Sequence, residues 1–200
     1  DRGQRTRRRV LDAARKVLVR RGYQAVRIEE ITKLAQVGYG TFYKYFRNKQ
    51  DVVETVMEEV YGQLQYAGLS SQVESTHLEH QIRRLITNYL ETYYKNREIL
   101  LALQPVGMLS QRIRKFLTEI RERDVEWMIR GFEGLNSQGC MIAGNLEVLS
   151  LAMLHSVDTV AQEWITRRPH LQLEELAETL SEIWFRAMSP PRPAGTHTQS

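Results

Sequence analysis

Residues 35–50 read AQVGYGTFYKYFRNKQ, with the rings of Phe42, Tyr43, Tyr45 and Phe46 set around Lys44 and with Arg47 and Lys49 directly behind. On a helix Phe42 and Phe46 stand one turn apart and share a face, so Tyr39, Thr41, Tyr43 and Lys44 point elsewhere. Two rings anchor such a segment while hydroxyls and an ammonium reach outward. Just upstream, Ile28, Ile31, Leu34 and Ala35 repeat at helical spacing until Val37 and Gly38 interrupt the pattern. Two short helices joined by a tight turn make a helix-turn-helix, whose second helix lies in the DNA major groove.

The charge distribution agrees. Residues 1–50 hold 14 of the 28 Lys and Arg but only 4 of the 24 Asp and Glu, so the first quarter is strongly basic and the rest is acidic. A block of that kind suits a polyanion, because each cation placed near a phosphate releases a condensed counterion. Hydrophobic content of 42% over 200 residues allows a substantial core. Apolar runs such as LLAL are far too short to span a bilayer, and no membrane partner is expected. The single cysteine, Cys140, leaves no intrachain disulfide partner, which suits a reducing cytoplasm. The chain opens on Asp1 rather than Met, which leaves room for a piece of a longer protein, including a tandem chain whose halves form a pseudo-dimer.

Working outward, helical periodicity covers nearly the whole chain. Val10, Ala14, Val17 and Leu18 mark a first helix over about 5–21 that stops at Gly22; the second covers 28–35, the third 39–46 and the fourth 49–66. Further helices are expected over 76–95, over 99–104 with an end at Pro105, and over 109–132, followed by the connection GFEGLNSQGCMIAGN. Leu146 to Trp164 and Leu173 to Ala187 mark the last two, and PPRPAGTHTQS reads as a flexible tail. The expected fold is all-α, about nine helices: a three-helix head over 1–50, a larger antiparallel helical body over 51–189, and the tail over 190–200.

The stretch VRIEEITKLAQVGYGTFYKYFRNKQDVVETV resembles the DNA-binding signature of the TetR family of transcriptional regulators, with GTFYKYFRNK the most specific part and the match running over about 10–56. Arg27 stands where the family usually has a capping threonine, Gln36 where it has the turn glycine, and Gly38 where it has a capping serine. The resemblance implies DNA contacts from Arg27, Tyr39, Gly40, Thr41, Tyr43, Lys44, Tyr45 and Lys49. Tyr39 and Lys44 are the candidates for base edges, Gly40 lets the backbone approach closely, and Thr41, Tyr43, Tyr45 and Lys49 are phosphate contacts that carry affinity rather than sequence choice. The basic run RTRRR at 5–9 either crosses a backbone or minor groove, or is a solvated end.

For the body, the resemblance implies a homodimer built on the last two helices, with Trp164, Leu180, Ile183 and Trp184 as anchors, bound to a near-palindromic duplex. It also implies a small-molecule pocket, for which Leu85, Tyr89, Tyr93, Leu103, Met108, Phe116, Ile120, Trp127, Leu151, His155 and Asp158 are lining candidates. Their apolar and aromatic character suits a lipid-like, acyl or steroid-like effector or a hydrophobic drug. The expected function is a sequence-specific regulator, a repressor released by such an effector. A helical nucleic-acid binder without effector control is the alternative.

Enzymatic chemistry is not expected. His155 and Asp158, three apart on one helix, are spaced to share a face and hydrogen-bond, so a hydrolase would use them. However, no G-x-S-x-G elbow, phosphate-binding loop or H-E-x-x-H is present. His77 and His80 have a metal-compatible spacing without a third ligand, and no metal or cofactor is expected.

Overall fold

The computed structural model describes residues 2–69, 77–109, 111–139, 142 and 144–188, without the side chains of 68, 69 and 105–109. The Met108 side chain, Cys140 and the 190–200 tail lie outside the described residues. The helices are α1 (Arg2–Ala25), α2 (Ile28–Ala35), α3 (Tyr39–Tyr45), α4 (Lys49–Leu69), α5 (Leu78–Lys95), α6 (Arg97–Leu109), α7 (Gln111–Ser137), α8 (Leu146–Thr166) and α9 (Leu173–Met188). Among the described residues there is no strand. The described residues of Asp1–Ala67 and Glu91–Glu122 pack as one unit, and those of Gly68–Leu90 and Arg123–Ser200 as another.

In the first unit, α1 buries Val10, Leu11, Ala13, Ala14, Val17 and Leu18 and packs on α2 and α6. Each large aliphatic side chain removed from water contributes about 1.5–3 kcal/mol before conformational entropy is subtracted. Gly22 does break α1: its φ of 69° and ψ of 163° belong to glycine, and the helix resumes only as far as Ala25. Val52, Val53, Val56, Met57, Val60 and Leu64 make the inner face of α4. Asn96, at the junction of α5 and α6, is buried and satisfied, donating to Gln63 Oε1 and the Thr92 carbonyl and accepting from Arg15.

Also in this unit, Arg112 at the start of α7 reaches three carboxylates of α4. Its guanidinium lies 2.9 Å from Asp51, 3.2 Å from Glu54 and 2.9 Å from Glu58. Glu54 is almost wholly buried and takes a further hydrogen bond from Gln50 Nε2. Burial alone raises the Asp51 carboxyl. The hydrogen bond from the Arg47 backbone N–H and the contacts with Arg112 outweigh it and hold the carboxyl below its ordinary value.

In the second unit, α5 contributes Leu78, Ile82, Leu85, Ile86 and Leu90, the end of α7 Met128, Phe132 and Leu135, α8 Met153, Val157, Ala161 and Trp164, and α9 Leu176, Ala177 and Leu180. Asn145 caps α8, its Oδ1 accepting from the backbone N–H groups of Glu147 and Val148 at 2.9 and 3.1 Å.

Two helices run longer than the sequence suggested. α6 does not end at Pro105 but continues to Leu109. The proline removes only the bond to the Leu101 carbonyl, and Leu101 is exposed, so water can satisfy that group. α7 passes through Gly131 and Gly134 to Ser137. Each glycine costs about 1 kcal/mol against alanine in a helix, but Met128, Phe132 and Leu135, buried on one face, outweigh it. Burial also departs from periodicity at three positions: Leu34, Ile183 and Ala187 are exposed.

Candidate nucleic-acid interface

The turn between α2 and α3 is set at Gln36. Its φ of 53° and ψ of 50° are left-handed, and the Gln36 and Val37 N–H groups close back on the Lys33 and Thr32 carbonyls. This ends α2 one residue before the expected Val37 and Gly38, in the way glycine commonly ends a helix. For a residue with a Cβ the conformation costs about 1 kcal/mol. Gly38 then caps α3 through its backbone alone, its carbonyl accepting from the Thr41 and Phe42 N–H groups.

On α3 the division of faces is clear. Phe42 is fully buried and Phe46 nearly so, their ring centroids 5.8 Å apart, with the Tyr43 ring edge-on to Phe42 at 5.4 Å. The Arg7 guanidinium lies over the Phe46 ring. Tyr39 and Tyr43 are 51% and 55% exposed although each carries a large ring, and Gly40 and Lys44 are exposed beside them. Thr41 and Tyr45 are half-buried. Arg27, at the N-cap of α2, is exposed and its side chain makes no capping bond. An outward row of phenol, hydroxyl and ammonium on a rigidly seated helix can donate to phosphate oxygens and base edges.

Lys49 stands differently from its neighbours. Its ammonium donates to the Tyr23 and Gln24 carbonyls at 3.3 Å each and lies 5.0 Å from the Tyr23 ring centroid. Two of its three donors are thus spent on the end of α1, and one remains for a phosphate. An open cleft of about 920 Å³ lies beside α3, lined on one wall by Arg2, Thr6 and Arg9 of α1 and on the other by Gln36, Thr41, Lys44 and Tyr45. Of these, Arg2 was not singled out from the sequence, Arg9 stood there only within the run RTRRR, and Gln36 was not among the expected DNA contacts. The one signal for Gln36 was its standing where a glycine is usual.

Residues 10–56 match the family model described as bacterial regulatory proteins of the tetR family. The chain carries a TetR-family DNA-binding head. The uncharacterized HTH-type transcriptional regulator YvkB of Bacillus subtilis is 41% identical over 54 residues, which are 27% of this chain and 29% of that protein. A second regulator of that organism, YhgD, is 24% identical over 183 residues, covering 90% of this chain and 95% of its own. The solved structure of the fatty acid degradation regulator FadR from Bacillus halodurans shares the fold, with a TM-score of 0.72 at 19% identity over 90% of this chain and 94% of that one. The TetR-type head and the helical fold together make this a transcriptional regulator with a helix-turn-helix.

The body candidates divide between the two units. Tyr93, Leu103, Phe116 and Ile120 belong to the first, Leu85, Tyr89, Trp127, Leu151, His155 and Asp158 to the second. Within the second, Tyr89 Oη donates to Asp158 Oδ1 at 2.9 Å. The expected pairing of Asp158 with His155 is therefore corrected: α5 supplies the partner, and His155 is exposed on the outer face of α8. Two expected dimer anchors are also corrected. Trp164 and Leu180 are each 5% exposed within the single chain, and Trp164 Nε1 donates to the Leu171 carbonyl at 2.9 Å. Packing of α8 on α9 consumes them. Trp184 is half-buried, its Nε1 donating to Ser156 Oγ at 3.3 Å, and Ile183 is 56% exposed. Among the described residues no helix is long and apolar enough to cross a membrane.

Proposed function

We propose that the chain is a homodimeric, sequence-specific repressor in the cytoplasm, released from a near-palindromic operator by a small apolar effector. In this reading residues 1–50 bind DNA and 51–189 dimerise and hold the effector. The observation that carries it is α3 itself: Phe42 and Phe46 seat the helix, and Tyr39, Tyr43 and Lys44 are exposed, with Thr41 half-buried beside them. Exposed rings of that size beside cations have little use on a bare surface and an evident one in a groove lined by phosphates.

The effector class rests on the aromatic and aliphatic residues of α5, α7 and α8, and on the likeness in fold to a regulator of fatty acid degradation. An effector that prefers the DNA-incompetent arrangement lowers DNA affinity by the same factor by which DNA lowers affinity for the effector. Exposed Val148 and Ile183 on α8 and α9 supply an apolar surface for a second copy.

Selection of bound duplexes from a random pool, followed by titration of the enriched sequence at physiological salt, tests the reading. Enrichment of an inverted repeat, bound at least a thousandfold more tightly than scrambled duplex, is the expected outcome. An unenriched pool would leave a non-specific nucleic-acid binder instead. Native mass spectrometry of the purified chain counts subunits and detects a retained acyl or drug-like molecule.

A further inference from the structure

We propose that Gln36 and Arg9, on opposite walls of the cleft beside α3, together hold one sugar-phosphate strand of the bound duplex, Gln36 through its side-chain amide and Arg9 through its charge. The inference rests on the DNA-binding reading above and extends the interface beyond the recognition helix. Three observations meet at this cleft.

Gln36 is the one residue other than glycine with a positive φ among the described residues. Its side chain is exposed and finds no hydrogen bond among the described residues; the two backbone bonds that close α2 offset the unfavourable backbone in part, but a glycine would make both without the strain. A strained residue where glycine would close the helix equally well, carrying a side chain the fold does not use, points to a role outside the fold. Turning left-handed at this position also throws the side chain off the end of α2 and into the wall of the cleft, where it stands with Thr41 and Lys44.

The facing wall is basic. Arg2 and Arg9 line it, and Arg9 is exposed, with no ion pair among the described residues, unlike Arg8 next to it, which is bound to Asp12 and Glu59. Among the described residues none that lines the cleft is acidic. Thr41, Lys44 and Tyr45 belong both to the cleft and to the outward set of α3, so a strand that meets the recognition helix continues between these walls. A neutral amide donor and a guanidinium fix a backbone without reading bases.

The two residues leave different signatures, readable on the full chain with a mixed-sequence duplex by fluorescence anisotropy across a salt series. Gln36→Gly relieves the backbone and should raise the thermal midpoint while weakening duplex binding about fivefold, the worth of one ordinary hydrogen bond. Because the amide is neutral, the slope of log K against log salt stays as in the wild type. Gln36→Ala keeps the strained backbone and should lose the same affinity without the gain in midpoint. Arg9→Gln should reduce the salt slope by about 0.9.

Wild-type affinity in both Gln36 variants overturns the amide contact, as does a loss in Gln36→Ala that Gln36→Gly does not share. A salt slope unchanged by Arg9→Gln overturns the charge contact. Failure of the wild-type chain to bind any duplex at low salt sinks the DNA-binding reading itself, and is distinguished from these by needing no variant.

Discussion

Two side chains at adjacent positions on α3, Phe42 and Tyr43, do opposite work. Phe42 has no exposed surface, and its replacement by Ala leaves a cavity the size of a ring under a helix of only two turns. We expect a loss of about 3–5 kcal/mol in urea unfolding, with DNA binding lost in step. Tyr43 is 55% exposed and touches Phe42 only edge-on, so Tyr43→Phe should leave the unfolding midpoint within experimental scatter. Its hydroxyl contacts a phosphate in the proposed complex. Affinity should therefore drop by a similar factor on every duplex tested, whereas replacing Tyr39 should change which duplex is preferred. A Tyr43→Phe protein with unaltered affinity would contradict the phosphate role. Most of this contrast was legible beforehand, because a spacing of four between two phenylalanines settles which rings face inward. Lys49 was not legible in the same way: its two carbonyl partners come from residues 25 and 26 positions earlier in the chain.

At the scale of elements, α4 carries the consequences of the head into the rest of its unit. Asp51, Glu54 and Glu58 recur at helical spacing on α4, and Arg112 alone answers all three. Arg112→Met removes the cation beside the buried Glu54. We expect a loss of about 1–3 kcal/mol, less than for a fully buried pair because half of the arginine side chain is in water. The sign of the acid dependence follows from Asp51. Its native value lies below the ordinary 3.8, so its contribution is present in full above that pH and is lost as the pH falls through the lower native value. The stability difference between wild type and Asp51→Asn should accordingly be flat from about pH 5 to 8 and shrink below about pH 4, measured by urea titration. A difference that instead grew in acid would reverse the assigned shift. Periodicity located α4 and α7, but the pairing between them joins positions more than fifty residues apart and has no local signal.

For the whole molecule, assembly is the open question that exposure addresses. Trp164 and Leu180 are enclosed within the chain, whereas Ile183 and Val148 remain in water on α9 and α8. If a second copy covers Ile183, Ile183→Glu places a charge in that contact. The expected result is a monomer by sedimentation velocity, with an unchanged helical signal and binding reduced to that of a single half-site. A Trp164→Ala protein should behave otherwise and lose stability first, by about 3–5 kcal/mol.

Local rules decided a good deal without any tertiary information: a helical chain, a basic first quarter, a short helix with two inward rings and an outward row of donors. These follow from 3.6-residue periodicity and from charge, both of which act over a few residues. Tertiary structure alone decided that Pro105, Gly131 and Gly134 sit inside helices, that Asp158 pairs with Tyr89 rather than His155, and that Trp164 is core rather than interface. In each case the deciding partner is a surface or side chain that packing brings near. Packing energies of several kcal/mol override propensities of about one.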